Sequence, residues 1–184
     1  MAYRTTCSGL VSRLRDLIAD VAVPAGGEKP EFTNDQIQTA LDKQRQVVRY
    51  ARLRPEEFRQ PGGVVVYLDY YADLGDWEAD AALYDSAYNL LTPATKDLET
   101  GHWTFASSQL PPVYLIGKTY DLYAAAADVL EKWAAKVKQE YTFGPGSGQF
   151  VRSQQHSMIL TSADRYRAQQ RIEVACIRRS DVNR

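Results

Sequence analysis

Asp76, Glu78 and Asp80 stand at alternate positions, the spacing with which a calcium-binding loop opens. The rest of such a loop does not follow. Ala81 occupies the place of the turn glycine and Ala87 that of the bidentate glutamate, so a solvated acidic strand or loop is the better account of the three carboxylates. The run Gly144-Pro145-Gly146-Ser147-Gly148 has the glycine content of a phosphate cradle. It lacks the lysine and Ser/Thr of a P-loop and follows a helical pattern instead of a strand, which makes it a turn. His102 and His156 are isolated, without a second histidine or cysteine at metal-ligand spacing, and no Gly-x-Ser-x-Gly elbow marks a nucleophilic serine. Either histidine still has the chemistry of a base if distant residues assemble around it. The expectation is a protein that is not an enzyme and takes no cofactor and no metal.

The C-terminal arginines Arg165, Arg167, Arg171, Arg178, Arg179 and Arg184 are the other candidate group. Guanidinium forks bind carboxylates and phosphates alike. A pI of about 6.1 argues against a dedicated DNA-binding domain, which leaves a protein-docking segment or a plain solvated helix. Charge is unevenly spread: residues 1–61 carry +2, 62–110 carry −7, 111–151 are neutral, and 152–184 carry +4. An acidic middle and a basic tail suit a chain that meets itself or a partner in a set orientation; solvated faces are the simpler alternative.

Four helical patterns would have to position these residues. Leu10, Leu14, Leu17 and Val21 predict a helix over about 8–21, stopped by Pro24-Ala25-Gly26-Gly27. Thr33 with Gln36 three residues on is a capping box, and Phe32 can pack on Ile37 as a hydrophobic staple, so a second helix begins at Asn34 and is expected to reach about 53. Residues 62–110 read as a β-rich insertion, with strands over Val64 to Tyr71 and His102 to Ala106. The longest pattern runs over 113–141, where Ile116, Tyr120, Tyr123, Ala127, Leu130, Ala134 and Val137 recur at helical spacing. A last helix is expected over 153–177, with a basic, mobile tail at 178–184. The fold expected is mainly α: a single domain built as a small helical bundle around one long central helix, interrupted by the insertion. Ordinary composition, the lack of a signal-peptide layout and just two cysteines, Cys7 and Cys176, point to a cytoplasmic origin with no membrane partner.

The order of parts carries a resemblance. The segments Phe32-Thr33-Asn34-Asp35-Gln36-Ile37 and Thr100-Gly101-His102-Trp103-Thr104-Phe105, the run from Tyr120 to Ala134 and the following Phe150-Val151-Arg152-Ser153-Gln154 together resemble the head-to-tail adaptor (connector) proteins of long-tailed bacteriophages. The resemblance implies a structural virion protein made in the host cytoplasm and placed in the neck between capsid and tail. It implies a dodecameric ring under the portal protein, extending the channel through which double-stranded DNA passes non-specifically and presenting a platform to a head-closure or tail protein. Portal docking by the C-terminal segment would fall on Tyr166, Arg167, Arg171, Ile172, Val174, Ile177, Arg178, Arg179 and Arg184. Inter-subunit or channel charge would fall on Asp76, Glu78, Asp80, Asp121, Asp128 and Lys132. Two alternatives stand beside it: a head-closure or tail-completion protein of the same neck, expected to be richer in β-structure, and a helical nucleic-acid-binding regulator.

Overall fold

The computed structural model describes residues 3–20, 31–141 and 149–171. Among these residues, four α-helices and eight strands follow in the order α1 (Ser8–Ile18), α2 (Asn34–Lys43), β1 (Arg45–Arg52), β2 (Arg54–Arg59), β3 (Val65–Tyr71), β4 (Ala82–Tyr84), β5 (Leu90–Leu91), β6 (Thr95–Asp97), β7 (His102–Thr104), β8 (Tyr114–Tyr120), α3 (Leu122–Tyr141) and α4 (Gln149–Arg167). The strands form two antiparallel four-stranded sheets, β1-β8-β4-β5 and β2-β3-β7-β6. The mainly α bundle is therefore overturned: β-structure extends from Arg45 to Tyr120, well beyond 62–110, and has a core of its own.

The helices behave as their periodicity requires. Leu10, Val11, Leu14 and Ile18 of α1, Ile37, Ala40 and Leu41 of α2, and Leu122, Ala125, Ala126, Val129, Leu130 and Ala134 of α3 share one apolar cluster, closed by Ile159 and Ala163 of α4. All four alanines from Ala124 to Ala127 are buried, and absent bulk there lets neighbouring backbones come close. The capping box at α2 is present: the Gln36 amide donates to Thr33 Oγ1 at 3.3 Å and the Thr33 amide to Gln36 Oε1 at 2.8 Å. Phe32 packs edge-on against Trp133 of α3, with ring centroids 6.1 Å apart.

The helical boundaries depart from expectation where one residue set fits two periods. Helix α1 stops at Ile18 instead of 21, because Ala19 takes a left-handed conformation (φ 55°) and closes the helix with its own amide. Helix α2 ends at Lys43, and the stretch expected to continue it to 53 becomes β1. Val47 and Val48 satisfy helical spacing equally well, but as β-branched residues they pair across to Lys118 and Gly117 of β8. Residues 114–120, expected as the start of the long helix, are β8, since Ile116 and Tyr120 also share a face at period two. Helix α3 starts at Leu122, with Asp121 as its cap: its carboxylate accepts the Ala124 amide at 3.0 Å and its carbonyl the Ala125 amide. Helix α4 ends at Arg167 rather than 177; residues 172–184, including the basic tail, lie outside the described residues.

The two sheets face each other. Cross-strand partners share a face, so Ala51, Leu115, Leu83 and Leu91 form one row pointing inward and Arg52, Tyr114, Tyr84 and Leu90 the adjacent row pointing outward. In the other sheet Pro55, Tyr70 and Trp103 point inward. Leu53, 1% exposed, sits between β1 and β2 where the chain passes from one sheet to the other. Leu53, Tyr70, Trp77, Leu83, Trp103, Phe105, Val113 and Leu115 fill the space between.

Leu130 is 4% exposed inside the helical cluster and Leu110 is 79% exposed. Replacing Leu130 by Asp buries an unpaired charge and is expected to abolish cooperative unfolding or lower stability by more than about 4 kcal/mol. Leu110→Asp should change it by less than about 0.5 kcal/mol. Urea denaturation of the two variants checks this; equal losses would show that the helical cluster is not what holds the chain.

Candidate functional site

The tripeptide Asp76-Trp77-Glu78 lies between the helices and the sheets, and alternation sends its side chains opposite ways. Trp77 enters the sandwich, packing edge-on to Trp103 at 6.2 Å while its Nε1 donates to the Leu74 carbonyl at 2.6 Å. Its backbone is held on both sides: the Trp77 amide donates to Leu98 O, the Asp76 amide to Glu99 O, the Glu78 amide to Lys118 O, and the Tyr120 amide to Asp76 O. Close approach needs glycine here. A Cβ on Gly75 would lie 2.1 Å from the Glu99 carbonyl oxygen, and one on Gly117 would lie 3.0 Å from Ala81 Cβ and 3.3 Å from the Trp77 ring. The two flanking carboxylates turn toward the helical part.

Glu78 is 0% exposed. It accepts from Thr6 Oγ1 at 2.5 Å, Tyr120 OH at 2.6 Å and Arg4 Nε at 3.3 Å, and Lys118 Nζ stands 3.4 Å away. Burial alone would raise its pKa, but donation from Thr6, Tyr120 and Cys7 together with the Lys118 charge holds it at about 2. Arg4 carries the connection onward: its guanidinium forks onto both Asp42 oxygens at 2.5 and 3.0 Å, and its amide donates to Gln38 Oε1 at 2.6 Å, both on α2. Hydrogen bonding to Asp42 raises the Arg4 pKa despite partial burial. Burial pushes the Cys7 thiol up, and burial followed by donation to Glu78 pushes the Tyr120 phenol up, so neither is ionised at neutral pH. A protonated thiol in a saturated network is no nucleophile. The cluster is a polar joint between Arg4 with the 3-10 turn Thr5–Cys7 that follows it, α2 and β8.

Asp76 makes a second joint beside the first. Its Oδ1 binds Arg13 at 2.5 Å, and Arg13 also reaches Glu99 at 2.8 Å. Its Oδ2 binds Arg171 at 3.0 Å, and Arg171 further donates to Thr119 Oγ1 at 2.8 Å and Gly75 O at 2.9 Å. Burial raises the Asp76 pKa and the Arg13 charge opposes it. A cleft of about 480 Å³ opens alongside, lined by Asp16, Leu17, Glu99, Tyr123 and Tyr166 among others. Every acid in the alternating motif is thus matched within the chain, for Asp80 pairs with Lys118 at 2.7 Å. The carboxylates are fastenings, where a solvated acidic surface had been expected.

The other expected residues have similar fates. Asp121 caps α3 and accepts the Arg171 amide at 2.6 Å. Asp128 binds Arg167 at 2.9 Å and Gln44 Nε2 at 3.0 Å; Lys132 is exposed. Of the docking candidates, Arg167 is engaged with Asp128 and Glu131, and Tyr166 donates to the Leu17 carbonyl at 2.6 Å and stacks on Tyr123. Ile172, Val174, Ile177, Arg178, Arg179 and Arg184 lie outside the described residues, as do Cys176 and the run 144–148. Acidic middle and basic C-terminal part do meet, through Asp76 and Arg171, but inside one protomer. His102 Nε2 lies 2.9 Å from Asp69, and Thr104 Oγ1 donates to the same carboxylate at 2.6 Å. A nucleophile-base-acid relay needs nucleophile and acid on opposite ring nitrogens, and here both crowd one. His156 is half-buried on α4.

What the motif search missed is a surface. On the outer face of β1-β8-β4-β5, Val47 (52%), Tyr50 (54%), Tyr88 (63%) and Leu90 (65%) are exposed beside Tyr84, Tyr114 and Ile116. Tyr88 bridges it, with ring centroids 5.5 Å from Tyr50 and 6.3 Å from Tyr114. Alternation within 114–118 was the available signal, concealed by its fit to a helix. Among the described residues no group of three His, Cys, Asp or Glu is placed to hold a metal ion, and no helix is long and apolar enough to cross a membrane. Comparison with family models, with curated proteins and with solved structures returns no match.

Glu78 has a folded pKa of about 2 against an ordinary value of 4.5, so its contribution is complete above about pH 4.5 and lost as pH falls toward 2. The difference corresponds to about 3 kcal/mol. Glu78→Gln should lose roughly that amount at pH 7 and differ little from the parent chain near pH 2. Denaturant titrations across this range check it; a constant gap would show that the ionised carboxylate is not the fastening. Asp128→Lys should cost about 1–3 kcal/mol through Arg167 and Gln44, measurable by thermal unfolding.

Proposed function

We propose that this chain is a structural protein of a bacteriophage neck: a head-to-tail adaptor that forms a ring below the portal, lengthens the DNA channel and joins capsid to the head-closure or tail components. The phage assignment draws on the order of segments from Phe32 to Gln154. The observation that carries the structural-protein reading is the exposed face of Val47, Tyr50, Tyr88 and Leu90. Tyrosine and aliphatic side chains gathered on an open sheet face are the composition of a protein-binding surface. The ionisable clusters, by contrast, are closed into internal pairs, with Glu78 fully buried. The partners in this reading are further copies of the chain in a dodecameric ring, the portal protein, a head-closure or tail protein, and double-stranded DNA touched without sequence preference.

One observation favours a second reading. Two four-stranded sheets are more β-structure than a small helical adaptor calls for, and a head-closure or tail-completion protein of the same neck accommodates them. Mixing the chain with a portal protein from the same genome, followed by electron microscopy and native mass spectrometry, separates the two. An adaptor is expected to decorate bare portal as a closed ring, dodecameric as the resemblance implies. A head-closure protein would bind only after another neck component is in place. Absence of binding to portal and to assembled particles alike would remove the neck reading, and salt-sensitive binding to free duplex DNA would replace it with a nucleic-acid-binding role.

A further inference from the structure

We propose that copies of this chain associate head to tail by laying the outer face of β1-β8-β4-β5 on the outer face of β2-β3-β7-β6 of the next copy. The inference rests on the reading of the chain as a self-assembling neck protein and names the contact that assembles it. The first face is apolar and tyrosine-rich, and its open edge is basic. Arg52 lies in the row of Tyr114, Tyr84 and Leu90, and Arg45 pairs with Tyr120 farther along the same strand. Both arginines are exposed. Arg4, Arg13, Arg15, Arg167 and Arg171 bind carboxylates within the chain, whereas Arg45 and Arg52, like Arg49, Arg54, Arg59 and Arg165, make no ion pair among the described residues. Arg52 beside Tyr114, and Arg45 where the strand meets the helices next to the buried Tyr120, are unmatched guanidinium groups that invite a partner bringing carboxylates.

The opposite side of the sandwich supplies them. Its outer rows are Arg54-Tyr71-His102-Asp97 and Asp69-Thr104-Thr95. Glu56 joins this face by accepting from Tyr71 OH at 2.8 Å. Asp69 and Asp97 are held below the usual carboxylate range, Asp69 chiefly by Thr104 and Asp97 chiefly by Thr100, so both stay ionised. Against Arg54 this face presents three carboxylates. The two faces point away from each other across one sandwich, so a contact between them is heterologous and leaves the joined pair one free face of each kind. Repetition then generates a closed ring or a filament. Duplex DNA is the competing occupant of the arginines, but it offers nothing to Val47, Leu90 and the tyrosines.

Two charge variants test this in the intact chain. Arg45→Glu with Arg52→Glu makes the first face acidic, and Glu56→Arg with Thr95→Lys makes the second basic; all four positions are exposed. Sedimentation velocity should show the parent chain self-associating, and each variant alone, folded by circular dichroism, weakened about a hundredfold or more. An equimolar mixture should recover association, because every reversed face then has a reversed counterpart. A parent chain that stays monomeric at high concentration overturns the proposal, as do variants that associate like the parent or a mixture that remains monomeric. Portal binding is measured separately: a chain that binds portal while its mixed variants stay apart would keep the neck reading and lose this interface. Recovered association without portal binding would do the reverse.

Discussion

A buried carboxylate holds two separately cored halves of the molecule together. The helices close on one apolar cluster, which Tyr120 of β8 enters, and the sheets on another, and such packing is non-directional. Glu78 supplies the orientation. With no exposure to solvent, it costs free energy unless its lone pairs are filled, and Arg4 and Thr6 of the N-terminal turn and Lys118 and Tyr120 of β8 fill them from two separate parts of the chain. Because the carboxylate is stable only when all of these donors converge, the geometry of the joint is set by hydrogen bonding, which is directional where apolar packing is not.

The strap around it works by alternation. Trp77 goes into the sandwich while Asp76 and Glu78 turn to the helices, so three consecutive residues engage both cores. Gly75 and Gly117 make room for the strap, since side chains at either position would collide with the Glu99 carbonyl or with Ala81 and the Trp77 ring. Arg171 reaches the same place from beyond α4 and ties the last described residue to the strap. Acidic and basic regions that look, by sequence, like surfaces seeking a partner are in this way spent inside the protomer.

That internal matching changes which surfaces are left for assembly. The acids expected at a subunit contact are occupied by Arg13, Arg167, Arg171 and Lys118, and two of the expected docking residues, Arg167 and Arg171, are their partners. Among the described residues, the tyrosine-rich outer sheet face and its arginine edge are not used up in this way, and neither belongs to a recognisable motif. The ring function proposed for the chain accordingly depends on the β-structure, with the long helix serving the interior of the protomer.

Local sequence alone determined the helical half. Thr33 and Gln36 define the start of α2, the four-and-three spacing from Leu122 to Val137 defines the buried face of α3, and Leu10, Leu14 and Ile18 define that of α1, because capping and helical periodicity are satisfied by residues a few positions apart. Strands over Val65–Tyr71 and His102–Thr104 were legible for the same reason, from runs of β-branched and aromatic residues. Only the tertiary structure decided that 45–52 and 114–120 are strands. Val47, Val48, Ile116 and Tyr120 fit both periods, and the choice falls to each segment because the other is there to pair with, some seventy residues away. It likewise decided that Asp76, Glu78 and Asp128 are fastenings, since whether a carboxylate meets solvent, a neighbour or an arginine of its own chain depends on long-range folding that no local spacing encodes.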